Sequence, residues 1–218
     1  MDWLMAHADA LNLALNAGMF AVWVFYLQLF LWNYLRARKP RLLINRGKGS
    51  DLEALCLVSN MSQEPVYPLN VYFTLDCGDE SCRAAITDRD LLAAPADDDP
   101  PRDVTSHGPL TQGDFMSIGS FRHMLDLAVK FGEGEPRSLE DLRGRIRTLE
   151  VMVTGAFGGD DLEIAARRTF RVVTDREPWT VVPTEPQTRQ ISSRRERRKL
   201  RRMAIDDLAR DEKSFRGG

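Results

Sequence analysis

The chain has 218 residues, with Lys+Arg 30 against Asp+Glu 32, and three cysteines. That length holds one soluble domain with additions but falls short of two full domains. The odd, low cysteine count excludes a disulfide-dense secreted scaffold, and the near-balanced charge is uninformative because basic residues sit in two local clusters and acidic ones in the middle.

Residues 1–9 form a short N-terminal tail. Residues 10–35 contain no charged side chain. A bilayer core of about 30 Å needs roughly 20 helical residues, so this run can span with some tilt. Trp3 before it, and Trp32 and Tyr34 at its end, match an aromatic belt. A soluble core helix of this length would normally show a charged face. A cleavable signal peptide would need basic residues in front. Here Asp2 and Asp9 precede the run, and the cations follow it in residues 36–48: Arg36, Arg38, Lys39, Arg41, then Arg46 and Lys48. The positive-inside rule therefore predicts the N-terminus outside and the remaining mass in the cytoplasm, at a bacterial-type inner (plasma) membrane.

Ala10, Ala14 and Gly18 recur every four residues, with Ala17 and Ala21 beside them. Small residues at this spacing let two helix backbones approach closely. Asn12, Asn16, Gln28 and Asn33 add amides that are costly in hydrocarbon without a partner. These residues fit packing against another membrane protein or a second copy. They fit equally a helix that merely tolerates them in lipid.

Residues 40–178 change to period-two patterning, read as the soluble domain. Strands are predicted at 41–46, 52–60, 66–77, 81–88, 114–120, 145–155 and 163–174. The predicted inward faces include Leu52, Ala54, Cys56 and Val58; Val71, Phe73 and Leu75; Leu149, Val151 and Val153; and Ile164, Ala166, Phe170 and Val172. Arg167, Thr169 and Arg171 fall on the opposite face of the last strand. Seven short strands of this kind predict two stacked antiparallel sheets. In architecture the pattern resembles an immunoglobulin-like or fibronectin-like sandwich, without the Cys-Trp-Cys core of antibody domains. Ser120 is placed to cap one inserted helix with Phe121, Met124, Leu125, Ala128 and Phe131 on its apolar stripe and Gly132 at its end. Its Arg122–Asp126 and Asp126–Lys130 spacings fit ion pairs. Residues 95–109 read as an acidic surface loop.

The chemistry candidates are sparse. Cys77 and Cys82 flank a turn, and a zinc site would need two more ligands at suitable spacing. His107 and His123 are distant in sequence. Asp97-Asp98-Asp99 lacks the alternation and glycine of a calcium loop. Gly158-Gly159-Asp160-Asp161 resembles, over four residues, the Gly-Gly-Asp-Glu signature of diguanylate cyclases. None of that family's other acidic elements stands upstream, and a hairpin turn explains the same residues. No phosphate-binding glycine loop or serine elbow occurs. The expectation is no metal, no cofactor and no catalytic residue.

Residues 179–191 read as a proline-containing linker. Residues 192–218 read as a basic, amphipathic or disordered tail that Ser192 or Ser193 can cap. Its cations are Arg194, Arg195, Arg197, Arg198, Lys199, Arg201 and Arg202, beside a narrow stripe of Leu200, Met203, Ala204 and Leu208. A solvated tail, a contact with anionic lipid, and docking on an acidic partner remain open. Nucleic acid ranks last, for want of interleaved aromatics or a known module. The chain is thus expected to be mainly β, with one transmembrane helix, and to act as a membrane-anchored accessory or scaffold protein. The competing expectation is a tethered sensor or enzyme with a site near the acidic loop, Cys77, Cys82 and His107.

Overall fold

The computed structural model describes residues 7–37, 39–78, 80–86, 108–131, 138–158 and 163–216. The acidic stretch 95–107, His107, Gly132, Arg38 and the 159–161 part of the glycine–aspartate turn lie outside them. The chain divides into two compact units, Met1–Lys39 and Pro40–Gly218.

The first unit contains α1 (Ala8–Ala37). At 1.5 Å per residue it is about 45 Å long. Its hydrophobicity runs all round, with no polar face to turn toward water.

The second unit is mostly β. Its elements are β1 (Leu42–Arg46), β2 (Leu55–Asn60), β3 (Val66–Asp76), β4 (Ser81–Ile86), β5 (Phe115–Ser120), α2 (Phe121–Phe131), β6 (Thr148–Phe157), β7 (Ile164–Val173), β8 (Thr180–Pro183), β9 (Arg189–Ile191) and α3 (Arg194–Arg216). Two antiparallel sheets form. One has the order β1-β2-β5; the other has the order β4-β3-β6-β7-β8, with β9 also on β7. The predicted alternation decides which side chains face in. Leu75 pairs with Leu149, Phe73 with Val151 and Val71 with Val153, and Leu149 pairs in turn with Phe170. These residues share one buried core with Leu42, Ile44, Cys56, Val58 and Ile118 of the other sheet.

β3 pairs with β6 on both sides of a register shift between Pro68 and Val71. A proline inside a strand is tolerated at such a bulge. Gly155 lies opposite Pro68, and a Cβ there would stand 2.9 Å from the Tyr67 carbonyl oxygen. The close approach of the two backbones needs glycine at this position.

Helix α2 covers one open side of the core. Ser120 Oγ accepts from the His123 backbone N–H at 3.2 Å, as its capping role predicts. Phe121, Met124, Leu125, Leu127 and Ala128 are buried, whereas Phe131 is half exposed. Arg122 Nε donates to Glu53 Oε1 at 2.5 Å, and Arg122 still attracts the expected partner Asp126 electrostatically.

The stretch 179–191, expected as a linker, instead completes the second sheet. β8 pairs with residues 170–173 of β7 and β9 with residues 165–167. They behave as one edge strand interrupted by residues 184–188. Arg168 fills the interruption. It lies on the inward face of β7, opposite Val151, and is 8% exposed. Its guanidinium donates to the Ile44 carbonyl at 2.6 Å, to Asn45 Oδ1, and to the Glu185 and Pro186 carbonyls at 3.3 Å each. Beside it, Thr188 and Gln190 satisfy the free edge of β1. Thr188 Oγ1 accepts from the Ile44 N–H at 2.9 Å and donates to the Ile44 carbonyl at 3.1 Å. The Leu42 N–H donates to Gln190 Oε1 at 3.1 Å, and Gln190 Nε2 donates to the Leu42 carbonyl at 2.5 Å. Side chains thus do here what a neighbouring strand does elsewhere, and the edge is blunted against stray pairing.

Candidate functional site: three exposed surfaces

The first surface is α1. Residues 8–35 form a stretch long and apolar enough to cross a membrane, and a signal sequence near an N-terminus meets the same criterion. Leu13, Phe20, Trp23 and Phe30 are each about 70% exposed. Exposed apolar area on this scale marks a contact with lipid or protein. Ala10, Ala14, Gly18 and Ala21 are all exposed, and a Cβ added at Gly18 would meet nothing within 4 Å. After the helix, Lys39 and Arg41 are exposed.

The second surface is the outer face of the β1-β2-β5 sheet. Pairing places Leu43 opposite Ser59 and Asn45 opposite Leu57, then Leu57 opposite Ser117 and Ser59 opposite Phe115. None of these outward residues is charged. Phe115 is 52% exposed and Leu55, on the same face, 47%. An antiparallel sheet facing water normally alternates apolar-in with polar-out. Here leucines and a phenylalanine stand on the outside. The sequence carried a signal for this: Leu42-Leu43-Ile44 and Leu55-Cys56-Leu57-Val58 are continuous apolar runs, the pattern of strands covered on both faces.

The third surface is α3, which starts as sequence predicts at a serine cap. The Glu196 N–H donates to Ser193 Oγ at 3.2 Å, and Ser193 Oγ donates to Glu196 Oε2 at 2.7 Å. The spacing is Ser-x-x-Glu, with the carboxylate held by the serine hydroxyl instead of by the N-cap backbone N–H of a full capping box. Leu200 is buried with Tyr72, Met152, Ala165 and Ile191, and Met203 packs beside it. The first turns of the helix are therefore docked on the outer face of the second sheet. Arg197, one of the seven tail cations, is turned inward, and its Nε donates to the Glu163 carbonyl at 2.8 Å. Arg194, Arg195, Arg198, Lys199, Arg201 and Arg202 remain exposed.

The Ser193 hydroxyl, with Arg189 as a weaker contributor, holds the Glu196 carboxyl below the usual carboxylate range. A depressed carboxylate stabilises the fold above its unfolded pKa, and this is lost as pH falls through the lower folded value. Acidification through that window is expected to loosen the start of α3, seen as faster amide exchange at residues 196–200. Ser193→Ala is expected to cost about 1 kcal/mol of local helix stability and to flatten that pH dependence.

Among the described residues the cysteines join no group of metal ligands with a histidine, and His107 lies outside them. Cys82 pairs with Leu75 across the strands, and the Cys77 N–H bonds to the Glu80 carbonyl at 2.9 Å, so the two thiols are offset rather than opposite. None of the three cysteines is in a disulfide. Burial first, and the neighbouring Cys82 second, push the Cys77 thiol up; burial pushes Cys56 up as well. A raised thiol is a poor nucleophile near neutral pH. Among the described residues no group of three or more His, Cys, Asp or Glu converges as metal ligands. Arg168, which sequence reading passed over, was detectable as the one charge on the apolar face of a period-two strand.

Compared with protein-family models, curated proteins and solved structures, the chain matches none of them.

Proposed function

We propose that this chain is a membrane-anchored accessory protein. Its N-terminal helix spans the membrane, and its β unit presents a binding face to another membrane protein or to a second copy, without catalysis of its own. The observation that carries the reading is α1: an exposed, apolar helix with no charge over residues 10–35, followed by cations from Arg36 on and joined to a compact β unit. The cations after the helix support a retained span over a signal peptide and, in this reading, a β unit on the cytoplasmic side of a bacterial-type inner membrane. The uncharged outer face of the β1-β2-β5 sheet is where the partner sits in this reading.

The β unit is read as immunoglobulin-like. The orders β1-β2-β5 and β4-β3-β6-β7 support this, matching A-B-E and C′-C-F-G of that fold in sequence order. Interface and not catalysis follows from the faces, since fold alone gives no activity.

The test is photo-crosslinking of the full chain in intact cells from position 115, followed by a carbonate wash. The expected result is one adduct of defined mass in the carbonate-resistant membrane fraction, lost when Leu55→Asp and Leu57→Asp are introduced together. A chain released by carbonate removes the membrane reading. A retained chain with no adduct removes the accessory role.

A further inference from the structure

The entry of the chain into the β unit and the start of α3 lie at the same end of that unit. The chain enters that unit at Arg41, whose carbonyl accepts from the Met61 N–H at 2.8 Å. The next residue, Leu42, is bonded in both directions to the Gln190 side chain. From Gln190 to the cap Ser193 is three residues, at most about 10 Å of chain. The first turns of α3 therefore begin beside the point where the chain arrives from the apolar helix. The inward side of α3 is set by Arg197 and Leu200, so Arg194, Arg195 and Arg198 lie on its exposed side. Glu196, the acidic residue among them, is engaged by Ser193 and Arg189.

We infer that Arg194, Arg195 and Arg198, together with Arg41, form a binding surface for the anionic headgroups of phospholipid in the same membrane. This rests on the spanning reading of α1. Given that reading, Arg41 follows Leu35, the end of the apolar run, by six residues, at most about 21 Å of chain, while cations farther along α3 have no such constraint. Charge complementarity supplies the attraction, since each basic side chain near an anionic leaflet shifts docking about fivefold. The anchor holds the arginines at high local concentration, so a weak surface is engaged continuously. A tail read as merely solvated would show neither the docking of Leu200 nor this placement of its first turn.

The experiment reconstitutes the full-length protein in nanodiscs of phosphatidylcholine alone, or with about one third phosphatidylglycerol, at an ionic strength near 0.1 M, where the screening length is about 10 Å. Amide hydrogen exchange is followed along α3, with β6 and β7 as the fold control. The expected result is at least tenfold slower exchange at residues 196–200 with phosphatidylglycerol. The slowing disappears at about 1 M salt, where the screening length is near 3 Å. Arg194→Glu with Arg195→Glu and Arg198→Glu abolishes the slowing, whereas Arg201→Glu with Arg202→Glu keeps most of it. Equal exchange in the two lipids overturns the inference, and that comparison needs no variant. So does slowing that survives the triple charge reversal, or a greater slowing by a short single-stranded RNA in phosphatidylcholine discs. A chain that does not enter the discs overturns the spanning reading and this inference with it.

Discussion

Replacing Arg168 with Met is expected to lower the unfolding free energy by about 3 kcal/mol, the cost of losing charged hydrogen bonds and stranding buried acceptors. Methionine fills similar volume, so little of the loss comes from a cavity. What disappears is the set of donors that reaches the Ile44 carbonyl on β1 and the Glu185 and Pro186 carbonyls between β8 and β9. Burial lowers the guanidinium pKa, the direction expected when a charge is taken out of water. Arg168→Lys keeps the charge but cannot fork toward both segments, so about half the loss is expected. Thermal melting of the full chain in mild detergent, followed by circular dichroism in the β region, reads both variants. At roughly 2–4 °C per kcal/mol for a domain of this size, the Met variant should melt about 6–12 °C lower. A shift under about 1 °C would mean that the interrupted edge is held by β8 and β9 pairing alone.

Phe121→Ala is expected to cost about 3–5 kcal/mol, the range for removing a buried aromatic ring. Phe121 is fully buried and packs edge-on against Phe170, with ring centroids 4.8 Å apart. It is the first residue of α2 and fixes that helix against the second sheet. Phe121→Leu should cost under about 1.5 kcal/mol, because volume is nearly kept. Arg122→Ala, one residue on, removes an ion pair whose side chains are 51% and 66% exposed and should cost less than about 1 kcal/mol. A Phe121/Phe170 double-mutant cycle should leave about 1 kcal/mol of coupling. If Phe121→Ala and Arg122→Ala cost the same, α2 is not a structural cover for the core.

These two residues also show what sequence reading reaches. Phe121 was legible: a serine cap and apolar residues at helical spacing are local signals, and the buried face follows from them. The seven main strands were legible for the same reason, through period-two alternation at Val71-Phe73-Leu75 and Leu149-Val151-Val153. The inward position of Arg168 could be read from the alternation, but its role could not, because its partners come from residues 44–45 and 185–186 and no local pattern encodes that meeting. β8 and β9 were hidden by their brevity and by Pro178, Pro183 and Pro186. Each is a strand only through its register on β7. The basic tail was legible as charge. Its docking was less so, because Leu200 and Met203 make a narrow stripe whose counterpart lies on β3, β6, β7 and β9.

The bond between Leu42 and Gln190 joins residues 148 apart, and this sets a schedule for biogenesis. β1 emerges from the ribosome directly after the apolar helix, yet the side chains that seal its edge are made 144 and 148 residues later. At about 5–20 residues per second, the first strand waits roughly 7–30 s for them. During that interval its free edge can pair with other chains. A ribosome stalled before Thr188, or a message truncated there, would release a chain whose first strand is still adhesive; on the spanning reading of α1, membrane-associated quality control would meet it.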